Sequence, residues 1–256
     1  ADADLPAAPK ISAQAAILFD PEGDRILYSR KANNRLPMAS TTKIMTALVV
    51  LDRLPLDMEV TASLKASETI GSGMELKEGE TYTVEQLLNA LLIHSANDAA
   101  VALAEATDGS VEAFADSMNA KARELGLKNS RFVNPHGMNA KGHYSSALDL
   151  ALMAAAGLSD PIFRSIVDTW TYVLPRDDGT VSTFTNRNKL LEREGWVNGV
   201  KTGSTPRAGQ CLVASGSKDG RTLISVVLGE EGNDPCWNDS LALLKFGFEH
   251  YRRVVV

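Results

Sequence analysis

Trp196-Val-Asn-Gly-Val-Lys-Thr202, Gln210-Cys-Leu-Val-Ala-Ser215 and Thr222-Leu-Ile-Ser-Val-Val-Leu228 are three runs of strand-forming residues near the end of the chain. Lys218-Asp-Gly220 lies between the last two and has the composition of a hairpin turn. A matching hairpin stands at the other end: Ile11 to Phe19 is apolar, Asp20-Pro-Glu-Gly-Asp24 turns, and Arg25 to Ser29 resumes. Between these ends the pattern is helical. From Ser40 to Arg53 the residues Ile44, Met45, Ala47, Leu48 and Leu51 recur at helical spacing until Pro55 stops the run. Residues 57–82 read as irregular, with short extended pieces. Thr83-Val-Glu-Gln86, Asn97 and Ser110 head further helices, the last ending near Leu125-Gly126. Asn134-Pro-His-Gly137 opens a long loop to Tyr144. Helices follow from Ser146 to Gly157 and after Asp160-Pro161, and Asp239 to Tyr251 closes the chain as an amphipathic helix. This order implies an α+β fold: one antiparallel sheet built from N- and C-terminal strands, flanked by helices, with a helical insert.

The 256 residues suffice for one large domain or two small ones, with a core that needs no metal or disulfide staple. No linker or repeat divides them, so residues 11–250 read as one unit. Residues 1–10 are then an N-terminal tail, and 251–256 a C-terminal tail or the start of a further region. The formal charge of −6 argues against a nucleic-acid or acidic-membrane partner. No apolar run approaches the ~18 residues of a transmembrane segment. The small, polar start at Ala1 is that of a mature end left after leader removal, or an arbitrary one.

Three short patterns can carry chemistry. In Ser40-Thr-Thr-Lys43 the lysine lies one helical turn from the serine, so a neutral amine can take the hydroxyl proton. That requires the lysine to titrate far below its usual ~10.4, through burial or nearby positive charge. By spacing alone the pattern is more often an N-cap serine followed by a solvated lysine, and Ser215-Gly-Ser-Lys218 has the same letters in an expected hairpin turn. Ser95-Ala-Asn97 offers a second hydroxyl to relay a proton and an amide to orient the lysine; it is equally a helix start. Ser117-Met-Asn119 shares those letters mid-helix. Lys201-Thr-Gly-Ser204 ends a strand, where backbone groups can pair with a peptide-like substrate. Lys201 supplies charge, Thr202 a hydroxyl, and Gly203 close backbone approach.

Together, and in this order, the three patterns resemble the penicillin-recognising serine enzymes. Leu36-Pro-Met-Ala-Ser40-Thr-Thr-Lys43-Ile-Met-Thr46, His94-Ser-Ala-Asn-Asp98-Ala and Gly199-Val-Lys-Thr-Gly-Ser204-Thr-Pro-Arg-Ala-Gly209 are most similar to low-molecular-mass penicillin-binding proteins, the serine-type D-alanyl-D-alanine carboxypeptidases. Phe132-Val-Asn-Pro-His-Gly137-Met and Thr185-Asn-Arg187-Asn share the resemblance. It implies a β-lactamase/D,D-peptidase-like fold and removal of the terminal D-alanine from peptidoglycan stem peptides. It also implies acylation by β-lactams, no cofactor or metal, and a bacterial, extracytoplasmic location. In the implied roles Ser40 is the nucleophile and Lys43 its base. Ser95 passes the proton to the leaving amine, Asn97 holds Lys43 and the substrate amide, and Lys201 supports charge. The N–H groups of Ser40 and Ser204 form the oxyanion hole, and Thr202 meets the terminal carboxylate. Arg187 either joins Thr202 or forms a structural salt bridge. Many relatives continue into a β-rich domain and an amphipathic anchor.

Other readings are weaker. Gly-x-Ser-x-Gly is absent, and His94, His136, His143 and His250 lack metal-binding spacing. His94, adjacent to Ser95, reads as structural. β-Lactamases of class A add a glutamate that activates the deacylating water. Glu85-Gln-Leu-Leu-Asn89 has the letters of that motif but precedes Ser95, and the loop after Asn134 contains no glutamate. A silent cell-wall-binding module would not need every catalytic position filled. Cys211 and Cys236 are left with two readings: a disulfide, since the strand pairing carries Cys211 near Leu228 and Cys236 is a loop further on, or two buried thiols.

Overall fold

The computed structural model describes residues 7–176, 178–232 and 235–252. Its centre is a five-stranded antiparallel sheet in the order β2-β1-β9-β8-β7. β1 (Ala15–Asp20) and β2 (Arg25–Arg30) come from the N-terminus. β7 (Val197–Thr205), β8 (Gly209–Lys218) and β9 (Arg221–Glu230) come from the C-terminus. Register pairs Ile17 with Val226 and Val226 with Val213, so the two ends of the chain meet in the middle of the sheet. The expected α+β architecture is present.

Alternation sorts the central strands into two buried faces. Ile17, Val213 and Val226 face the helical side, where α1 (Lys43–Leu51), α4 (Asn97–Asp108) and α6 (Ala147–Ser159) add Met45, Leu103 and Met153 to one core. Leu18, Leu212 and Val227 face α9 (Pro235–His250), which covers them with Trp237, Leu243 and Leu244. The helix starts follow local rules. Thr83 and Gln86 form a reciprocal capping box at α3 (Val84–Asn89). Ser110 and Ser146 cap α5 (Val111–Glu124) and α6, and Asp160 with Pro161 opens α7 (Pro161–Asp168). Among the described residues no single helix is long and apolar enough to cross a bilayer.

Several expectations need correction. In residues 57–82 the short extended pieces are present as β3 (Glu59–Thr61) and the start of β4 (Thr81–Thr83), but a helical turn, α2 (Leu64–Ser67), lies between them. A hairpin absent from the sequence reading joins β5 (Thr171–Pro175) to β6 (Val181–Thr185). Ser215 lies within β8 and not in a turn; its hydroxyl donates to Asn198 Oδ1 at 2.7 Å. Tyr251, assigned to a tail, is packed: its carbonyl accepts from Arg221 Nη1 at 2.6 Å. Residues 1–6 and 253–256 of the expected tails lie outside the described residues. Cys211 and Cys236 are both buried free thiols, the second of the two readings.

The N-terminal segment is tied down by a carboxyl pair. Asp239 accepts from the Ser12 and Ala13 amides at 2.6 and 3.1 Å. The Ser12 hydroxyl lies 2.9 Å from Glu230 Oε2 and 3.2 Å from Asp239 Oδ2, and its single proton cannot serve both. Glu230 Oε1 is buried with no donor. A proton on Glu230 resolves the conflict, and burial with Asp239 beside it pushes that carboxyl up to about 7, with the Ser12 bond and Arg30 opposing. Because the folded value lies above the unfolded ~4.3, this contribution is complete below ~4.3 and is lost as pH rises through about 7. Glu230→Gln keeps a neutral donor at every pH. In thermal melts, its Tm advantage over the wild type is expected to widen between acid and mildly alkaline pH, by about 2 °C or more. A constant difference would rule out the shared proton.

Candidate active site

The turn Ala39–Thr42 is 3-10 and leads directly into α1. Side chains three residues apart eclipse in that geometry, which sets Ser40 and Lys43 side by side. Lys43 Nζ lies 2.9 Å from Ser40 Oγ, 2.7 Å from Asn97 Oδ1 and 2.8 Å from the His136 carbonyl. Asn97 Nδ2 donates to Ile70 O at 2.9 Å, which fixes the amide so that its oxygen faces the lysine. Two of the three neighbours can therefore only accept. A neutral amine gives its two N–H groups to them and turns its lone pair to the third, Ser40, the one neighbour with a proton to donate.

The surroundings favour that neutral form. Lys43 is fully buried, and among the described residues it has no ion-pair partner within 4.0 Å. Burial first, then Lys201 and Arg187, hold its pKa well below the ordinary lysine value; Asp98 pulls the other way. The Asp98 carboxylate is occupied by the backbone amides of Met74, Leu76 and Ala99. Lys201, also buried, is pushed down to about 7 by burial and Arg187.

A cavity of about 460 Å³ opens over this group. Six of the nine residues singled out by sequence line it: Ser40, Ser95, Arg187, Thr202, Gly203 and Ser204. The other three, Lys43, Asn97 and Lys201, are buried behind its wall. Ser95 stands between a π-helical turn (Ala90–His94) and α4, in a left-handed conformation with φ 68°. Lys201 is not brought into hydrogen-bond contact with Ser40 or Ser95; its ammonium donates to Thr202 O at 3.1 Å. Arg187 has no carboxylate within ion-pair distance among the described residues, so the salt-bridge alternative is not formed. Instead its Nε donates to His94 O at 2.7 Å. His94 stacks on Phe184 at 4.8 Å, a structural contact.

A family model described as D-alanyl-D-alanine carboxypeptidase, Peptidase_S11, matches residues 2–232. The chain belongs to this family. It is 37% identical over 244 residues to the D-alanyl-D-alanine carboxypeptidase DacF of Bacillus subtilis, covering 93% of this chain and 63% of that protein. Against DacB2 of Mycobacterium tuberculosis it is 34% identical over 258 residues, covering 97% and 88%. The crystal structure of the Streptomyces K15 DD-transpeptidase superposes with a TM-score of 0.90 at 33% identity, covering 94% of this chain and 99% of that one. The chain thus spans less than two thirds of the length of some curated relatives, DacF and the Escherichia coli DacC, at 63% and 64%.

Asn134-Pro-His-Gly137 carries no chemical role that its residue types alone reveal. The structure makes this loop the back wall of the Ser40 turn: His136 O holds Lys43, and Pro135 O accepts from Thr46 Oγ1 at 2.6 Å. Backbone carbonyls leave no signature in side-chain identity, but the glycine does. Gly137 sits at φ +94°, and a Cβ there would lie 2.0 Å from Ala39 O. Gly203 presses on the turn from the other side, where a Cβ would lie 2.8 Å from Ser40 N. A side chain at 203 would not allow β7 to approach the Ser40 turn this closely. Gly203→Ala must push β7 away from Ser40. Acylation of Ser40 by a β-lactam is expected to fall by about 100-fold, the scale of a misplacement near 1 Å, with the fold retained by circular dichroism. Unchanged acylation would show the contact to be slack.

Proposed function

We propose that this protein is a serine D,D-carboxypeptidase that removes the terminal D-alanine from peptidoglycan stem peptides through an acyl-enzyme on Ser40. The observation that carries this reading is the place of Lys43: its buried Nζ lies 2.9 Å from Ser40 Oγ between two carbonyl acceptors, so that a neutral amine there can turn its lone pair to the Ser40 hydroxyl. Lys43 takes the Ser40 proton as Oγ attacks the carbonyl of the penultimate D-alanine. The N–H groups of Ser40 and Ser204 stabilise the oxyanion. Ser95 carries the proton onward to the departing amine while Lys201 adds positive charge to the relay. Thr202 and Arg187 bind the terminal carboxylate, and Asn97 holds Lys43 and the substrate amide. Water then hydrolyses the ester.

Residues 11–250 act as one catalytic unit in this reading, outside the cytoplasmic membrane of a bacterium. β-Lactams acylate the same serine. Rapid β-lactam hydrolysis is not favoured, because the wall behind Lys43 is the loop Asn134–Tyr144, which contains no acidic residue and meets the amine with a backbone carbonyl.

Intact-mass analysis after incubation with a penicillin is expected to show one persistent adduct, absent in Ser40→Ala. An adduct that survives this substitution would overturn the assignment, and one that disappears with turnover would indicate a β-lactamase. Lys43→Arg keeps the charge but cannot accept a proton, so acylation should fall by at least ~100-fold. Amidation of the terminal carboxylate of a D-Ala-D-Ala peptide should abolish most D-alanine release. Equal turnover of acid and amide would exclude a carboxypeptidase.

A further inference from the structure

His143 is buried in the loop behind the nucleophile turn, and no step above uses it. Its two ring nitrogens have different neighbours. Nδ1 accepts from the Val133 backbone N–H at 3.0 Å, so it carries a lone pair. Nε2 lies 2.8 Å from Thr42 Oγ1, and the Thr42 hydroxyl donates its one proton to Ala39 O at 2.8 Å. Since the hydroxyl proton is committed, the Nε2–Thr42 contact requires a proton on Nε2. Each donor and acceptor in the series Val133 N–H, His143, Thr42, Ala39 C=O is then used once, in one direction.

The end of that series matters. Ala39 O belongs to the peptide unit that joins Ala39 to Ser40, and a planar trans peptide fixes its N–H once its C=O is fixed. Ala39 sits at φ 49°, a conformation costly for a residue with a Cβ, so the turn needs an external hold. We propose that His143, as the Nε2–H imidazole, is a positioning residue that aims the Ser40 N–H into the oxyanion hole by way of Thr42 and the Ala39 carbonyl. Burial, which holds this imidazole down at about 4, keeps it in one protonation state across the neutral range. The edge of the Phe132–His143 ring pair, 6.1 Å between centroids, fixes the plane of the imidazole.

This inference rests on Ser40 being the nucleophile, and the experiment separates the two. In the full-length chain, long-range 1H–15N correlation at about pH 7 is expected to show His143 protonated on Nε2 and bare on Nδ1. An Nδ1–H tautomer or an imidazolium overturns the proposal. Rapid-mixing kinetics with a penicillin resolve the noncovalent constant from the acylation rate constant. His143→Ala is expected to leave the first unchanged and lower the second by about 10- to 100-fold, less than the ~10²–10³ for outright loss of an oxyanion donor. His143→Gln, whose amide can place an N–H near the Nε2 position, should recover most of that loss. Thr42→Val breaks the next link and should give the same split, with the double variant no slower than the slower single one. Wild-type acylation rates in both His143→Ala and Thr42→Val, with only a lowered Tm, would assign a purely structural role and defeat the inference. Should His143→Ala fail to fold, Thr42→Val and the tautomer decide. A wild-type protein that forms no Ser40 adduct would instead defeat the functional reading.

Discussion

The structure is organised around an uncompensated buried amine. Lys43 lies among Ser40, Asn97 and the His136 carbonyl, with Lys201 and Arg187 adding positive potential and the carboxylate that opposes them, Asp98, already bound to three backbone amides. An ammonium in such a place bears a large desolvation penalty, and the protein escapes it by lowering the lysine pKa. In the proposed reading the same escape supplies a base next to the Ser40 hydroxyl. Stability and chemistry are therefore linked at one atom, Lys43 Nζ.

Three separate parts of the chain must converge to keep that amine dry. The β7 edge of the sheet approaches through Gly203, the loop Asn134–Tyr144 through His136 and Gly137, and α4 through Asn97. The sheet joins N-terminal to C-terminal strands, so the elements that close on Ser40 are distant in sequence and fixed by one core. The strained turn at Ala39 is tolerated because hydrogen bonds and steric contacts hold it from both sides.

What was legible in the sequence was local. Capping by Ser110, Ser146 and Asp160, the two terminal hairpins and the helical periodicity of Ile44 to Leu51 each rest on neighbouring residues, and each is present. The β5–β6 hairpin escaped because each strand buries only one residue, Leu174 and Phe184, while Val173 and Val181 are exposed. The two Ser-x-x-Lys patterns show the limit of spacing as a signal. In the 3-10 turn, Ser40 and Lys43 eclipse and meet. In β8, Ser215 and Lys218 point to opposite faces, the serine to Asn198 and the lysine over the Trp196 ring at 4.0 Å. Letters alone could not separate them; backbone conformation does. The carbonyl of His136 and the Val133–His143–Thr42 series were invisible for a different reason, since half of their bonding groups are main-chain atoms.

The neutrality of Lys43 is the claim on which the rest stands, and it can be measured directly. Lysine labelled with 13C at Cε reports its own protonation by NMR, and the Lys43 signal is assigned by its disappearance in Lys43→Arg. Burial and the adjacent cations require a midpoint well below the usual lysine value of ~10.4. A midpoint at or above ~10.4 would mean that Lys43 is an ordinary ammonium, and that another group takes the proton from Ser40.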